Sequence, residues 1–155
     1  MKLFKCNLMK LVRIPTSNVN EVWSLVKQDI QNALTYSGDY TDSQFVFDCL
    51  KNNKMQMWII WDKSKSKTLE KYYGVVVTEV IQRKLKKSCQ IFIMTGRHRQ
   101  KWTSLIQVLE DFALEQNCDL MELNARVGWQ RVLQNYDYKR THVVLEKQLI
   151  KKENN

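Results

Sequence analysis

Apolar side chains follow two different periods along this chain. Over residues 19–35 they recur every three or four positions, which predicts a helix with one buried face. Residues 102–116 repeat that spacing and form the best-defined helical pattern in the sequence. Compact apolar runs lie between these two segments, and the run at 72–82 is typical of a buried strand. The chain therefore combines helices and strands in an α/β arrangement.

The order of these patterns predicts the course of the chain. Two capping boxes, Asn18 with Glu21 and Thr41 with Gln44, mark the starts of the first two helices. The predicted elements are strand 3–12, helices 19–35 and 41–52, strands 55–61, 72–82 and 89–95, helix 102–116, strand 118–124, helix 129–136 and a long final strand at 138–149.

The composition fits one globular domain. The 155 residues include 44% hydrophobic residues but only four Gly and one Pro, which favours a packed core over disorder. No linker or repeat interrupts the pattern, so we expect a single domain at 1–150 and a short polar tail at 151–155. No stretch approaches the roughly 20 apolar residues that span a bilayer. Lys2, Lys5 and Lys10 break up the N-terminal segment, so we expect no signal peptide.

The cysteines do not favour a metal site. Cys6, Cys49, Cys89 and Cys118 lie far apart without a CxxC pair, and the chain has only two His. Because a zinc site needs ligands clustered at short spacing, we expect reduced thiols buried in the core and no metal.

The net charge of +9 is the strongest signal in the composition. It predicts an anionic partner, such as nucleic acid, a phosphorylated cofactor or an acidic protein surface. The alternative is a solvated face that only aids solubility. The cations lie on predicted loops rather than along one helix, so we expect any contact with nucleic acid to be weak and non-specific. Seven of them fall between positions 83 and 101: Arg83, Lys84, Lys86, Lys87, Arg97, Arg99 and Lys101.

The element order and several local motifs resemble the GNAT acetyltransferase superfamily. The segment from 118 to 149 is similar to the part of these proteins that runs strand, short helix and final strand. The most similar members are GNAT-like proteins of tailed bacteriophages, including internal virion proteins of podoviruses, and the resemblance covers roughly residues 15–149. The motifs that carry it are Met57-Trp58, Thr78-Glu79, Gly96 with Trp102, and Arg126-Val127-Gly128-Trp129.

The resemblance implies a fold and two different functions. The fold is a mixed, mostly antiparallel sheet with flanking helices, in which strands 89–95 and 118–124 are parallel neighbours that diverge at their C-terminal ends. One function is acetyl-CoA-dependent N-acyl transfer. The other is an internal virion or interaction protein, whose partners would be other phage virion proteins or a host protein, in the host cytoplasm or packaged in the virion.

The resemblance also implies where acetyl-CoA or CoA would bind. In the family, backbone N–H groups at the start of the long helix cradle the pyrophosphate in a Q/R-x-x-G-x-G/A loop. Here the loop keeps the leading Arg, but Gln100 and Trp102 replace both small residues, so we expect weak binding. The alternatives are that side-chain cations hold the phosphates instead, and that Trp102 is a core aromatic. The candidate cofactor residues are Met94, Gly96, Arg97, His98, Arg99, Gln100, Lys101 and Trp102.

The catalytic groups of the family are only partly present. Leu133 stands where these enzymes commonly have a Tyr that protonates the leaving thiolate, and Tyr136 has the wrong helical phase. Glu79 and Glu122 are the carboxylates well inside predicted strands, and Glu79 is the candidate base because strand alternation places it on one face with Val75. The alternative for Glu79 is an ion pair with a nearby Arg or Lys at the margin of the sheet.

One turn carries a further candidate site. Arg126 and Trp129 are candidates to line a substrate or partner pocket, and Gly128 is expected to supply a turn with positive φ between them. The alternative is a packed cation–π pair. Three hypotheses follow for the whole chain: a GNAT-fold interaction protein with little or no activity, which we favour, an active acetyltransferase, and a basic nucleic-acid-binding module.

Overall fold

The computed structural model describes residues 8–37 and 41–153. Its contacts divide the chain into two compact units, Met1–Asn124 and Ala125–Asn155, which are described separately below. The first unit contains strands β1 (Met9–Ile14), β2 (Gln56–Asp62), β3 (Tyr72–Gln82), β4 (Lys87–Gly96) and β5 (Leu120–Leu123), and helices α1 (Val19–Thr35), α2 (Ser43–Lys51), α3 (Thr68–Lys71) and α4 (Ile106–Glu115). The second unit contains α5 (Val127–Leu133).

The five strands form one sheet in the order of the sequence. Strands β1 to β4 pair antiparallel, and β4 pairs with β5 in parallel from Ser88↔Leu120 to Ile91↔Leu123. The pairing ends there because β5 ends at Leu123, whereas β4 continues to Gly96, and the predicted divergence of the two strands stays a prediction. The antiparallel meander, the parallel pair and a helix joining its two strands are confirmed.

Helices cover both faces of the sheet. On one face, Val26 and Ile30 of α1 and Val46 of α2 belong to the same buried cluster as Val75 and Val77 of β3. On the other face, Ile106 and Leu109 of α4 line a narrow gap together with Ile60 of β2 and Val76 of β3. Because successive side chains of a strand point to opposite faces, the continuous apolar run of β3 supplies both layers of the core.

The predicted helix at 19–35 is confirmed by α1, but its predicted cap is not. The Asn18 side chain accepts no bond from the helix backbone, and its amide instead donates to the Glu21 carboxylate at 3.2 Å. The second capping box is also wrong, because α2 begins one residue later. There the Asp42 carboxylate accepts the Phe45 N–H at 2.9 Å, as a good N-cap residue does.

The predicted final strand at 138–149 is wrong, since residues 137–153 form neither helix nor strand. Val143, Val144 and Leu145 are apolar residues of the kind that fill strands. However, β propensity reflects packing against neighbouring strands, so it cannot form a strand where no neighbouring strand is available. Within the described residues the sheet ends at β5. The predicted strand at 3–12 also begins outside the described residues, and its observed part is β1.

Two glycines allow β3 and β4 to approach closely at one end of the sheet. Gly74 and Gly96 are paired in the ladder, and a Cβ on Gly96 would lie 2.5 Å from the Tyr73 carbonyl oxygen. A Cβ on Gly74 would overlap the Thr95 carbonyl oxygen. Any side chain at these positions therefore forces the two strands apart.

We expect Gly96→Ala to destabilise the protein by about 1–3 kcal/mol, the usual cost of overpacking, because backbone atoms must move to admit the methyl group. Urea unfolding monitored by circular dichroism measures this. The control is Gly128→Ala, because Gly128 lies in α5 without a positive φ and Ala is the better helix former. Equal stability of wild type and Gly96→Ala would contradict the steric argument.

Candidate functional site

The candidate cofactor loop, residues 97–102, follows β4 directly. The Arg97 N–H donates to the Tyr73 carbonyl at 2.9 Å and extends the β3–β4 ladder by one bond. His98 then adopts a left-handed conformation with φ 53° and ψ 49°, which is uncommon for a residue other than glycine. A 3₁₀ turn at Arg99–Lys101 and another at Thr103–Leu105 follow, so the α-helix begins only at Ile106. The predicted helical start at 102 is therefore four residues too early.

The Trp102 side chain fills the inside of this loop. Trp102 is only 2% exposed, and its indole N–H donates to the Arg97 carbonyl at 2.8 Å. Its ring also lies against Gly96, where a Cβ would come within 3.2 Å of Cζ2. The interpretation of Trp102 as a core aromatic is confirmed, and the ring occupies space that a glycine or alanine would leave open.

Three backbone N–H groups of the segment that precedes α4 are used within the 3₁₀ turns. The Lys101 N–H donates to the His98 carbonyl at 2.9 Å, and the Trp102 N–H donates to the Arg99 carbonyl at 3.1 Å. The Leu105 N–H donates to the Trp102 carbonyl at 2.9 Å. A phosphate nest needs several neighbouring N–H groups aimed at the ligand, and these three are aimed at carbonyls of the chain.

The leading arginine of the loop is engaged by the protein itself. The Arg97 guanidinium stacks on the Tyr73 ring at 4.4 Å and donates to the Glu70 carbonyl at 3.0 Å. It therefore connects the loop to α3, a contact that the sequence pattern does not predict. His98, Arg99, Gln100 and Lys101 are exposed, whereas the partly buried Met94 lines the narrow gap beside Trp102.

Glu79 lies far from this loop. It pairs with Gln90 near the start of β4, whereas Gly74 pairs with Gly96 next to the loop. Five residues of β3 separate Glu79 from Gly74, which corresponds to roughly 17 Å along the strand. The structure therefore does not bring the candidate base and residues 97–102 together.

The surroundings of the two strand carboxylates differ. Glu79 borders a surface cavity of about 410 Å³ that Arg13, Lys54 and Phe112 also line, and partial burial raises its pKa. No ion pair with Glu79 occurs among the described residues. Hydrogen bonding with Ser88 and with Arg83 instead lowers the pKa of Glu122, whose carboxylate lies 2.5 Å from the Arg83 guanidinium. The alternative interpretation of Glu79 was an ion pair with an Arg or Lys at the margin of the sheet. Among the described residues that ion pair is formed by Glu122 and not by Glu79.

The basic segment 83–101 does not form one patch. Arg83, Lys84 and Lys86 lie on the turn between β3 and β4, while Arg99 and Lys101 follow the other end of β4. The ten residues of β4 lie between these groups and span roughly 30 Å. The two groups of cations are therefore at opposite ends of the sheet.

In the second unit, α5 follows Arg126, whose carbonyl accepts the Trp129 N–H at 2.9 Å. Arg126 is exposed and Trp129 is partly buried. The predicted positive φ at Gly128 is wrong, because Gly128 is part of the first turn of α5. Leu133, at the position of the family's acid, is buried. A pocket lined by Arg126 and Trp129 stays a prediction.

Cys49, Cys89 and Cys118 are free thiols, and the last two are buried, while Cys6 lies outside the described residues. Residues 8–37 and 41–153 contain no cluster of three or more His, Cys, Asp or Glu side chains suited to a metal ion. Over the same residues, no helix has the length and apolar character that crossing a membrane requires.

The sequence matches no protein-family model and has no significant match among curated proteins. Its similarity to known proteins lies in the fold. The match to an aminoglycoside acetyltransferase from an uncultured soil metagenomic sample, crystallised with trehalose, has 14% identity, covers 94% of this chain and 99% of that one, and has a TM-score of 0.64.

Two further solved structures agree. The glucosamine-6-phosphate N-acetyltransferase of Arabidopsis thaliana has 13% identity over 92% of this chain and 99% of its own, with a TM-score of 0.62. A predicted acetyltransferase of Clostridium acetobutylicum, solved with acetyl-CoA, has 17% identity over 90% of this chain and 96% of its own, with a TM-score of 0.63. The element order, the sheet and these similarities together establish that the chain has the GNAT acetyltransferase fold.

Proposed function

We propose that this chain is a GNAT-fold interaction protein that does not bind acetyl-CoA in the manner of the acetyltransferases. The observation that carries the proposal is the position of Trp102. Its buried ring lies against Gly96, and its indole N–H is bonded to the Arg97 carbonyl. A pyrophosphate at this loop would have to approach the same backbone.

The other residues of the loop fit acetyl-CoA no better. The N–H groups of Lys101, Trp102 and Leu105 are bonded to carbonyls of the chain, and the Arg97 guanidinium is held by Tyr73 and Glu70. Losing two charge-assisted hydrogen bonds costs roughly 3–6 kcal/mol, which corresponds to about a 10²–10⁴-fold loss of affinity.

The biological setting is part of the same proposal. The resemblance of Met57-Trp58, Thr78-Glu79 and Arg126–Trp129 to motifs of bacteriophage GNAT-like proteins supports a protein that acts in the host cytoplasm or inside the virion. Its partners would then be other virion proteins or a host protein. The fold would serve as a stable scaffold that presents its surface to them.

The second candidate is an active acetyl-CoA-dependent N-acetyltransferase. It is favoured by the fold, which is shared with acetyltransferases over 90% or more of both chains. Exposed Arg99 and Lys101 would have to replace the backbone cradle. Glu79, the candidate base, would have to act from the opposite end of β3, which is why this function ranks second.

We expect the wild-type protein to bind acetyl-CoA or CoA with a Kd on the order of hundreds of micromolar or weaker, given the hydrogen bonds that the loop cannot offer. Calorimetric titration measures this. The double variant Gln100→Gly with Trp102→Gly should bind more tightly, although the gap it leaves lowers stability by about 3–5 kcal/mol. The control is Trp102→Phe, which keeps most of the ring volume and should bind no better than wild type.

Low-micromolar binding by the wild type would contradict the proposed function. In that case Arg97→Ala and Arg99→Ala should each abolish binding, because side-chain cations would be the only phosphate ligands left in the loop. Transfer of an acetyl group to an amine would then have to be measured, and the enzyme would become the first candidate.

The two strand carboxylates should respond to pH in opposite ways. Burial raises the pKa of Glu79, so the folded state favours its protonated form, and its contribution to stability is lost as the pH rises through that pKa. Glu79→Gln should therefore raise the melting temperature at pH 7, by a small amount because the side chain is partly solvated, and the difference should shrink toward pH 4.

Glu122→Gln is the matched control for that measurement. Hydrogen bonding lowers the pKa of Glu122, so its contribution is present at neutral pH and is lost as the pH falls through that lowered pKa. Thermal unfolding at both pH values should therefore show Glu122→Gln less stable than wild type at pH 7. A lower melting temperature for Glu79→Gln at pH 7 would show that Glu79 has a stabilising partner.

A further inference from the structure

Two connections of the chain meet at the end of the sheet where β4 ends. The Arg97 guanidinium, in the loop after β4, donates to the Glu70 carbonyl in the connection between β2 and β3. Hydrogen bonds from Ser64 lower the pKa of Asp62, and the charges of Lys65 and Lys101 lower it further. Lys65 and Lys101 are 36 positions apart in the sequence, yet both act on this one carboxylate.

We call the cations of these two connections the lysine patch. Its members outnumber the carboxylates in or directly next to these connections, Asp62 and Glu70, by five. Asp62 is moreover buried, and its Oδ1 accepts the Ser64 N–H at 2.9 Å and the Ser64 hydroxyl at 2.6 Å. The patch therefore holds more than half of the chain's net charge of +9. Its members are Lys63, Lys65, Lys67, Lys71, Arg97, Arg99 and Lys101.

The composition of the patch indicates which kind of anion it suits. Protein interfaces are depleted in Lys and enriched in aromatic residues, whereas five of the seven cations here are Lys. One large apolar side chain of these two connections, that of Leu69, is mostly exposed. Hydroxyls of Ser66 and Thr68 alternate with the lysines, and hydroxyl, Lys and Arg side chains are the usual ligands of nucleic-acid phosphates.

Two aromatic rings beside the patch, Trp61 and Tyr73, each already have a cation over them. Lys71 Nζ lies 5.6 Å from the centre of the Trp61 ring, and the Arg97 guanidinium lies 4.4 Å from that of Tyr73. Binding of single strands depends on open aromatic faces on which bases stack. The patch therefore suits the phosphate backbone of a duplex better than unpaired bases.

We propose that the lysine patch binds the phosphate backbone of double-stranded nucleic acid without preference for base sequence. The inference rests on the proposed function, because the cations after β4 are open to a polymer only where acyl-CoA does not occupy them. Binding of this kind falls steeply with salt, with a slope of log K against log salt close to −0.9 for each phosphate contact.

The opposite end of the sheet provides a control of equal charge. Lys84 and Lys86 are exposed on the turn between β3 and β4, but carboxylates lie close to that turn. Arg83 there is paired with Glu122, and the Asp119 carboxylate accepts the Lys87 N–H at 2.9 Å. Neutralising Lys84 and Lys86 changes the net charge as much as neutralising Lys65 and Lys101, but outside the patch.

The test is fluorescence anisotropy with a labelled 20-base-pair DNA duplex over a series of salt concentrations. Lys65→Gln with Lys101→Gln should make the salt slope less steep by about 2 and weaken binding at 0.1 M salt by roughly tenfold or more. Lys84→Gln with Lys86→Gln should keep the wild-type slope and affinity. Melting temperatures of both double variants, all at exposed positions, verify that each is folded.

Three results would overturn the inference: no binding of the duplex by wild type, equal losses in the two variants, or tighter binding of poly-L-glutamate than of the duplex at equal charge and salt. The last would identify an acidic protein as the partner. The calorimetric titration with acetyl-CoA is a separate measurement, so failure of the proposed function and failure of this inference are distinguishable.

Discussion

The close approach of β3 and β4 at Gly74 and Gly96 is the constraint on which the rest of this end of the molecule depends. Without side chains at these two positions, the Arg97 N–H reaches the Tyr73 carbonyl and the Trp102 ring lies against Gly96. The indole N–H then holds the Arg97 carbonyl, and the Arg97 side chain extends across Tyr73 to α3. One tight strand pair thereby fixes the candidate cofactor loop and the connection beside it.

The sequence predicts those parts of the fold whose cause is local. The predicted helix 19–35 and strand 72–82 agree with α1 and β3 residue for residue. A helical spacing repeated over many residues specifies the first, and a long apolar run specifies the second, without reference to other elements. The late start of α4 could not be predicted, since the 3₁₀ turns before it depend on where Trp102 is buried. The segment 138–149 shows the same limit, because a strand needs a partner that its own sequence does not encode.

The candidate site shows this limit at single side chains. Glu79 and Glu122 both lie inside strands, and nothing in their local sequence distinguishes them. The difference arises because the turn after β3 brings Arg83 to Glu122, whereas no cation forms an ion pair with Glu79 within the described residues. Likewise Lys65 and Lys101, which follow β2 and β4, come to the same end of the sheet through the order and direction of the strands, and neither local segment predicts it.

A protein can bind phosphate in two ways, and each way corresponds to one of the functions proposed for this chain. A backbone nest holds one pyrophosphate in a fixed geometry and requires a chain that a ligand can approach closely, which is the role of small residues in such loops. Long cationic side chains instead bind many phosphates with little geometric requirement, and they need only exposure and a surplus of charge. In the proposal made here, Trp102 closes the first route, and the seven cations of the loop after β4 and of the β2–β3 connection provide the second. Under this proposal the GNAT fold keeps an anion-binding end, while the anion changes from a cofactor to a polymer.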